Sequence, residues 1–235
     1  MVQELDLSKI VQYPLPENQY VCKDNYGREL IYPKTSVTLH GTASGPKAKN
    51  VIDYWNQTSE RVATPVVIDA SGEIWQCYSS KFYAGHIGYA HGIDIYKLPF
   101  TDYSAFSIGI EICNWGWLVK RGDKYYSWTN AEIPANQVVI YDVPFKQVKY
   151  YHKYTAAQIE SVRQLLVYWN KRYNIPLEYK PKELWALSKE AHMGVPGIYT
   201  HNSWRFDKSD IHPQPEMITM LKNLTVGVKN ESKIL

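Results

Sequence analysis

Residues 36–43, Ser-Val-Thr-Leu-His-Gly-Thr-Ala, form an apolar, β-branched run that ends on a histidine and is followed by a turn. Such a run predicts a buried strand. The next apolar residues recur at the spacing of one helix face: Ala48, Val51, Ile52 and Trp55. The sequence therefore predicts a strand, a turn and a helix. His40 falls at the carboxyl end of the strand, the edge of an open α/β sheet where ligands collect.

Two further stretches predict partners for this strand. Residues 64–69 and 73–78 are short apolar runs on either side of Ala-Ser-Gly, which predicts a hairpin. In residues 106–113, Phe-Ser-Ile-Gly-Ile-Glu-Ile-Cys, apolar side chains alternate with small or polar ones, so Glu111 points away from the isoleucine face. We predict a single α/β domain with a central mixed β-sheet flanked by helices.

The rest of the chain shows no internal repeat and no Pro/Gly/Ser-rich linker. Thr155 opens a capping-box pattern before a helical run that includes Ile159 and Trp169, and residues 217–224 resemble a short closing helix. We divide the chain into an N-terminal extension packed on the core (1–34), a catalytic domain (35–225) with an aromatic-rich excursion (114–152), and a C-terminal tail (226–235).

Composition excludes several classes of protein. A net charge of +3 without a basic, aromatic-interleaved run argues against a nucleic-acid partner. The three cysteines lack the spacing of a disulfide framework or a CxxC site, so we expect reduced thiols. We find no membrane-spanning run and no signal-peptide pattern at the first residues. We expect a monomer made in the cytoplasm.

The histidines and nearby polar residues offer the parts of a zinc hydrolase. Such an enzyme needs three protein ligands and an open position for water, a carboxylate that handles the water proton, and a cation that stabilises the oxyanion. His40 ends a strand, and His201 lies in a loop ahead of Lys-Ser-Asp-Ile-His-Pro at 208–213. Glu111 lies on a strand that can neighbour the His40 strand. Histidines at these spacings are not by themselves specific for a metal.

Five stretches, in order along the chain, resemble the motifs of one family. They are residues 37–43, residues 66–76 (Val-Val-Ile-Asp-Ala-Ser-Gly-Glu-Ile-Trp-Gln), residues 84–88 (Ala-Gly-His-Ile-Gly), residues 107–111 (Ser-Ile-Gly-Ile-Glu), and residues 200–201 together with 208–210. The family that they resemble is that of the zinc-dependent N-acetylmuramoyl-L-alanine amidases. It includes phage lysozymes of the amidase type, cytoplasmic anhydro-muropeptide amidases and animal peptidoglycan recognition proteins. The resemblance spans roughly residues 35–220.

The resemblance implies a role for each matching residue. Zn²⁺ would be bound by His40, His201 and Asp210. Glu111 would move the water proton and Lys208 would stabilise the oxyanion. His86 and Thr42 would contact the substrate, which is peptidoglycan cut at the amide between N-acetylmuramic acid and L-alanine, as in an endolysin. The resemblance also implies that the protein reaches the cell wall or periplasm after release through a pore.

The departures from the family leave alternatives open. The family usually has Pro-Gly after the third ligand, whereas Ile211 and His212 follow Asp210 here, so His212 is an alternative third ligand. Two other functions also stay open, a non-catalytic peptidoglycan-binding module and a zinc peptidase that cuts the stem peptide. The dense aromatic residues of the excursion, including Trp115 and Trp117, suggest that it shapes the substrate groove.

Overall fold

A computed structural model describes the backbone of residues 4–231 and the side chains of residues 4–224. The helices are α1 (Ala48–Gln57), α2 (Gly92–Tyr96), α3 (Ala156–Tyr173), α4 (Pro181–Trp185), α5 (Lys189–His192), α6 (His201–Trp204) and α7 (Pro215–Glu231). The strands are β1 (Val11–Gln12), β2 (Ser36–Gly41), β3 (Val66–Ile68), β4 (Ile74–Gln76), β5 (Ser107–Ile112), β6 (Val119–Arg121), β7 (Lys124–Tyr126), β8 (Glu132–Ile133), β9 (Val138–Phe145), β10 (Val148–His152) and β11 (Gly197–Thr200).

The central sheet has six strands in the order β1-β4-β3-β5-β2-β11. Strands β3 and β4 form the predicted antiparallel hairpin, and the other neighbours pair in parallel. The sheet is therefore mixed, and the predicted fold class is confirmed. In the register between β2 and β5, His40 lies directly opposite Glu111, so one sheet edge carries both residues.

Helices cover both faces of this sheet. On one face, Ile108, Ile110 and Ile112 of β5 join a buried core with side chains of α3 and α7. On the other face, Val67 and Cys113 pack with Ile52 and Trp55 of α1. Because every residue of β2 is buried between these layers, the end of that strand is fixed in position.

The helix predicted after Thr155 is confirmed, and its ends follow from local chemistry. The Thr155 hydroxyl accepts from the Gln158 amide while the Gln158 side chain accepts from the Thr155 amide, which is a complete capping box. Asn174 ends the helix in the left-handed conformation. The predicted closing helix at 217–224 is longer than expected and spans Pro215–Glu231, whereas residues 232–235 lie outside the described residues.

The excursion at 114–152 contains two separate antiparallel units. Strands β6, β7 and β8 form a three-stranded antiparallel sheet, and β9 with β10 forms a separate hairpin. Leu118, Tyr125, Ile133 and Val138 give this region a small buried core of its own. The excursion is thus a second, minor layer fixed beside the end of β2.

The N-terminal extension packs on the core, and its β1 segment pairs with β4 at the edge of the central sheet. The thiols of Cys22, Cys77 and Cys113 are free, as expected. Among the described residues, no helix is long and apolar enough to cross a membrane.

Candidate active site

Three of the predicted residues meet at the carboxyl edge of the central sheet. Strand β11 runs parallel to β2, so His201, immediately after β11, lies next to His40 at the end of β2. The following loop brings Asp210 to the same point. One ligand atom from each of the three lies within 4.8 Å of the other two.

In both His40 and His201, Nδ1 is the ring nitrogen that faces Asp210. Nδ1 of His201 is 3.2 Å from Oδ2 of Asp210, and Nδ1 of His40 is 3.9 Å from the same oxygen. The imidazole rings of His40 and His201 are 4.5 Å apart between centroids and meet edge to face. Two imidazole nitrogens and a carboxylate therefore converge on one small volume.

The opposite side of each ring is held by a hydrogen bond. Nε2 of His201 donates to the carbonyl oxygen of Ile87 over 3.2 Å. Nε2 of His86 donates to the carbonyl oxygen of Ser107 over 3.2 Å, so Nδ1 of neutral His86 can only accept. It accepts from Nε2 of His40 over 2.9 Å. In the neutral rings, the protons on Nε2 leave the Nδ1 lone pairs of His40 and His201 aimed at the convergence point.

Asp210 has the features of a metal ligand. Its Oδ2 accepts from the amide of Gly41 over 3.2 Å, whereas its Oδ1 is buried without any partner among the described residues. Burial by itself would raise the pKa of Asp210, but a protonated His201 ring and the Gly41 amide lower it overall, so the carboxyl group is ionised. When the His201 ring is neutral, its Nδ1 lone pair and this carboxylate both face the convergence point. Two histidines and one carboxylate form a donor set typical of catalytic zinc sites, and these residues fit such an ion.

Glycine at position 41 allows Asp210 to approach the end of β2 closely. A Cβ at Gly41 would overlap the main-chain carbonyl oxygen of Asp210. Only glycine leaves room for the 208–210 loop against the end of β2, so the His-Gly pair at 40–41 is part of the site.

His212, the alternative third ligand, lies away from the cluster of His40, His201 and Asp210. The ring of His212 is fully buried and stacks on Tyr151 and Tyr154. Its Nδ1 pairs with the hydroxyl of Tyr141 over 2.8 Å, and its Nε2 donates to the carbonyl oxygen of His152 over 3.0 Å. Because both nitrogens are used away from the cluster, His212 holds the 208–214 loop in place and Asp210 faces the histidines.

Glu111 and Lys208 lie beside the cluster and line the same cavity. Burial raises the pKa of Glu111 well above its ordinary value, the neighbouring Asp210 raises it further, and Lys208 opposes both. In the described part of the chain, the ammonium group of Lys208 forms no hydrogen bond or ion pair with protein. A carboxyl group that readily holds a proton and an available cation thus flank the convergence point.

The cavity has a volume of about 920 Å³ and two chemically different ends. The cluster of His40, His201 and Asp210 forms the charged end together with Glu111 and Lys208. The other end is bounded by aromatic side chains from α1 and from the excursion, namely Tyr54, Trp115, Trp117 and Trp128. The excursion therefore borders the groove, as its aromatic density suggested.

The family assignment agrees with this geometry. Residues 32–215 match the family model Amidase_2, described as N-acetylmuramoyl-L-alanine amidase. The chain belongs to the N-acetylmuramoyl-L-alanine amidase family. By class, the protein is therefore an N-acetylmuramoyl-L-alanine amidase, and peptidoglycan is the substrate that fits it.

Three solved structures are similar in fold to this amidase. PlyL is 15% identical and aligns over 91% of this chain and 96% of its own, with a TM-score of 0.49. The catalytic domain of XlyA is 15% identical over 93% and 98%, with a TM-score of 0.49. The N-acetylmuramoyl-L-alanine amidase LysC from Clostridium intestinale URNW is 14% identical over 94% and 97%, with a TM-score of 0.45. A search of curated protein sequences found no match.

Two residues predicted to contact substrate have other bonds within the amidase. The Thr42 hydroxyl bonds the main chain of Asn114, donating to its carbonyl over 3.3 Å and accepting from its amide over 3.1 Å. His86 lies on the floor of the cavity with both ring nitrogens bonded to protein. Both residues line the cavity, but their polar atoms already hold the ends of β2 and β5 in position.

Sequence reasoning did not find the groups that hold the histidines of the amidase. Carbonyl oxygens of Ile87 and Ser107 carry no sequence signal, because every residue has one. Gly109 gave a weak signal: a Cβ there would overlap the Thr64 side chain and press on the ring of His86. A glycine in the middle of a buried strand marks a close approach of this kind.

Proposed function

We propose that this amidase is zinc-dependent and hydrolyses the bond between N-acetylmuramic acid and L-alanine in peptidoglycan, in an endolysin-like cell-wall lysis. The observation that carries the proposal is the convergence of His40, His201 and Asp210, together with the buried Oδ1 of Asp210, which has no partner among the described residues. An unpaired buried carboxylate oxygen is costly unless a cation joins it. Zinc bound there would polarise the scissile carbonyl and lower the pKa of water toward neutrality.

Glu111 is the proton carrier in this proposal. It accepts a proton from the attacking water as the water oxygen bonds to the carbonyl carbon, and it delivers that proton to the amide nitrogen as the carbon–nitrogen bond breaks. Burial among protein groups suits both steps, because it brings the pKa of the carboxyl upward from the range where a carboxylate is too weak a base. The products are a free lactyl carboxylate and a peptide with a free L-alanine amine.

Lys208 acts on the carbonyl oxygen of the amide that is cut. Its ammonium group borders the cavity beside the cluster and is free of protein partners among the described residues, so it can approach the carbonyl oxygen as negative charge develops there. A preorganised cation at such a position lowers the barrier without needing to reorganise.

His86 is a positioning residue in this scheme. It fixes the proton of His40 on Nε2 and so presents Nδ1 to the metal, and outer partners of this type add about 10–100-fold to metal affinity. We expect His86→Gln to weaken zinc binding of the purified protein by a factor in that range, measured by competition with a chromophoric chelator.

A matched control distinguishes positioning from a general loss of stability. His192 is also buried, with Nδ1 bonded to the Ser188 carbonyl over 2.6 Å and Nε2 to the Gly92 amide over 3.0 Å, but it lies outside the active-site cavity. His192→Gln is expected to lower the melting temperature while zinc affinity stays at the wild-type value. Equal zinc affinity in His86→Gln and wild type would contradict the positioning role.

Product analysis tests the reaction itself. Incubating the zinc-loaded protein with purified peptidoglycan is expected to release stem peptides whose new amino terminus is L-alanine, identified by mass spectrometry after amine labelling. Cuts within the stem peptide would make the protein a peptidase, and binding without any cut would make it a recognition module. The monomeric state and release through a membrane pore stay predictions that size-exclusion chromatography and fractionation of expressing cells can test.

A further inference from the structure

The aromatic end of the active-site cavity is formed largely by segments that lie outside the metal-binding edge of the sheet. Trp115 and Trp117 precede β6, Trp128 lies in the turn between β7 and β8, and Tyr54 extends from α1. Tyr54 is 69% exposed, Trp128 is 57% exposed and Trp117 is 36% exposed. Large aromatic faces open to solvent along a groove are a recurrent sign of a binding surface.

The main chain holds these rings rather than leaving them on a loose loop. The indole Nε1 of Trp128 donates to the carbonyl oxygen of Ala43 over 2.5 Å, which joins the turn of the excursion to the segment that follows His40. Trp117 bridges to Tyr151 of β10, and the next residue, Leu118, is part of the small core of the excursion. The rings are therefore preorganised, and little conformational entropy is lost when a ligand covers them.

The charges that line the groove distinguish between two possible ligands, a stem peptide and a glycan strand. The charged lining residues Glu111, Asp207, Lys208 and Asp210 belong to the metal end. Among the described residues, those that line the cavity from α1 and from the excursion are neutral, such as Asn50, Val51, Gly116 and Thr129. A stem peptide carries free carboxylates that would need a cation here. A glycan strand is neutral, because each lactyl carboxyl is consumed in the amide bond, and its sugar rings present flat C–H faces.

We propose that Tyr54, Trp117 and Trp128 form a glycan subsite that stacks the N-acetylated sugar rings flanking the cleavage point. The proposal rests on the proposed function, since the reaction at the metal end defines where the glycan strand enters. It assigns to the excursion a role in recognising the polymer rather than in cutting the bond. The subsite makes long glycan chains better ligands than single muropeptides.

Binding to a neutral glycan tests the subsite separately from the chemistry. The probe is a chitin oligosaccharide, a chain of N-acetylglucosamine rings without lactyl carboxylates or stem peptides, and the protein is the metal-free full chain. We expect wild type to bind this glycan and Trp128→Ala and Trp117→Ala each to weaken the binding by about tenfold, as for exposed aromatic anchors at other interfaces. Trp128→Phe should retain most of the affinity, and Tyr26→Ala, which removes an aromatic ring that is 84% exposed and outside the cavity, should retain all of it.

A kinetic comparison completes the test. The ratio of kcat/KM on long peptidoglycan chains to kcat/KM on a single muropeptide should fall about tenfold in Trp128→Ala. Unaltered glycan binding in both tryptophan variants would overturn the subsite, and so would a loss of affinity seen only with isolated stem peptides. Glycan binding that depends on the tryptophans in a protein that cuts no amide would support the subsite and contradict the proposed function instead.

Discussion

Asp210→Asn is expected to reduce zinc affinity by more than about 100-fold and to abolish peptidoglycan hydrolysis. The substitution keeps the shape of the side chain but removes the negative charge and one anionic donor, and loss of a ligand costs more than the 10–100-fold typical of an outer partner. The carboxylate is held at this point by the Gly41 amide and by His201, both within 3.2 Å of Oδ2. Zinc content after dialysis and turnover of peptidoglycan report the two losses.

His212→Gln is the matched control because His212 was the alternative ligand on sequence grounds. Its ring is stacked between Tyr151 and Tyr154 with both nitrogens hydrogen-bonded, so the variant should lose stability but bind zinc. Retention of zinc by Asp210→Asn together with its loss in His212→Gln would reverse the assignment.

Glu111→Gln is expected to lower kcat by about 10²–10⁴-fold, the usual contribution of a proton-transferring side chain. Zinc binding should persist, since Glu111 is not one of the three converging ligands. The same substitution should stabilise the metal-free protein, because the neutral amide avoids the cost of ionising a carboxyl group in this site. Relief of such costs commonly raises the free energy of unfolding by about 0.5–2 kcal/mol.

The stabilising effect has a defined pH dependence. The pKa of Glu111 in the folded chain lies above its ordinary value of 4.5, so the wild-type protein loses stability as the pH rises from that value towards the raised pKa, while the unfolded chain ionises freely. The advantage of Glu111→Gln should be absent below about pH 4 and grow towards neutral pH. Denaturant unfolding of metal-free protein at several pH values measures it, with Glu60→Gln, an exposed carboxyl, as control. A variant less stable than wild type at neutral pH would contradict the account.

The sequence predicted the parts of the site that lie on strands. An apolar, β-branched run predicted the strand that ends at His40, and apolar runs on either side of Ala-Ser-Gly predicted the hairpin. Alternation in residues 106–113 predicted that Glu111 points away from the isoleucine core, and the sheet contains all three features. The capping box at Thr155 depends only on neighbouring residues, so the sequence predicted it equally well.

The remaining features depend on long-range packing. Residues 194–215 show no clear period, so only the surroundings of each side chain in the structure favour Asp210 over His212. The role of His86 depends on a carbonyl of Ser107 on another segment, which sequence cannot reveal. The sequence of the excursion likewise showed its dense aromatic residues. It did not show the hydrogen bond between Trp128 and Ala43, which are 85 residues apart in the chain.

The central claim is that zinc held by His40, His201 and Asp210 is required to cleave the lactyl–L-alanine amide. The most direct measurement compares wild type and His201→Ala for bound zinc and for release of peptides with an L-alanine terminus, before and after removal and return of zinc. The account predicts one zinc per chain in wild type, activity that is lost on chelation and restored by zinc, and neither bound metal nor activity in His201→Ala. Full activity in metal-free wild type, or in His201→Ala, would contradict it.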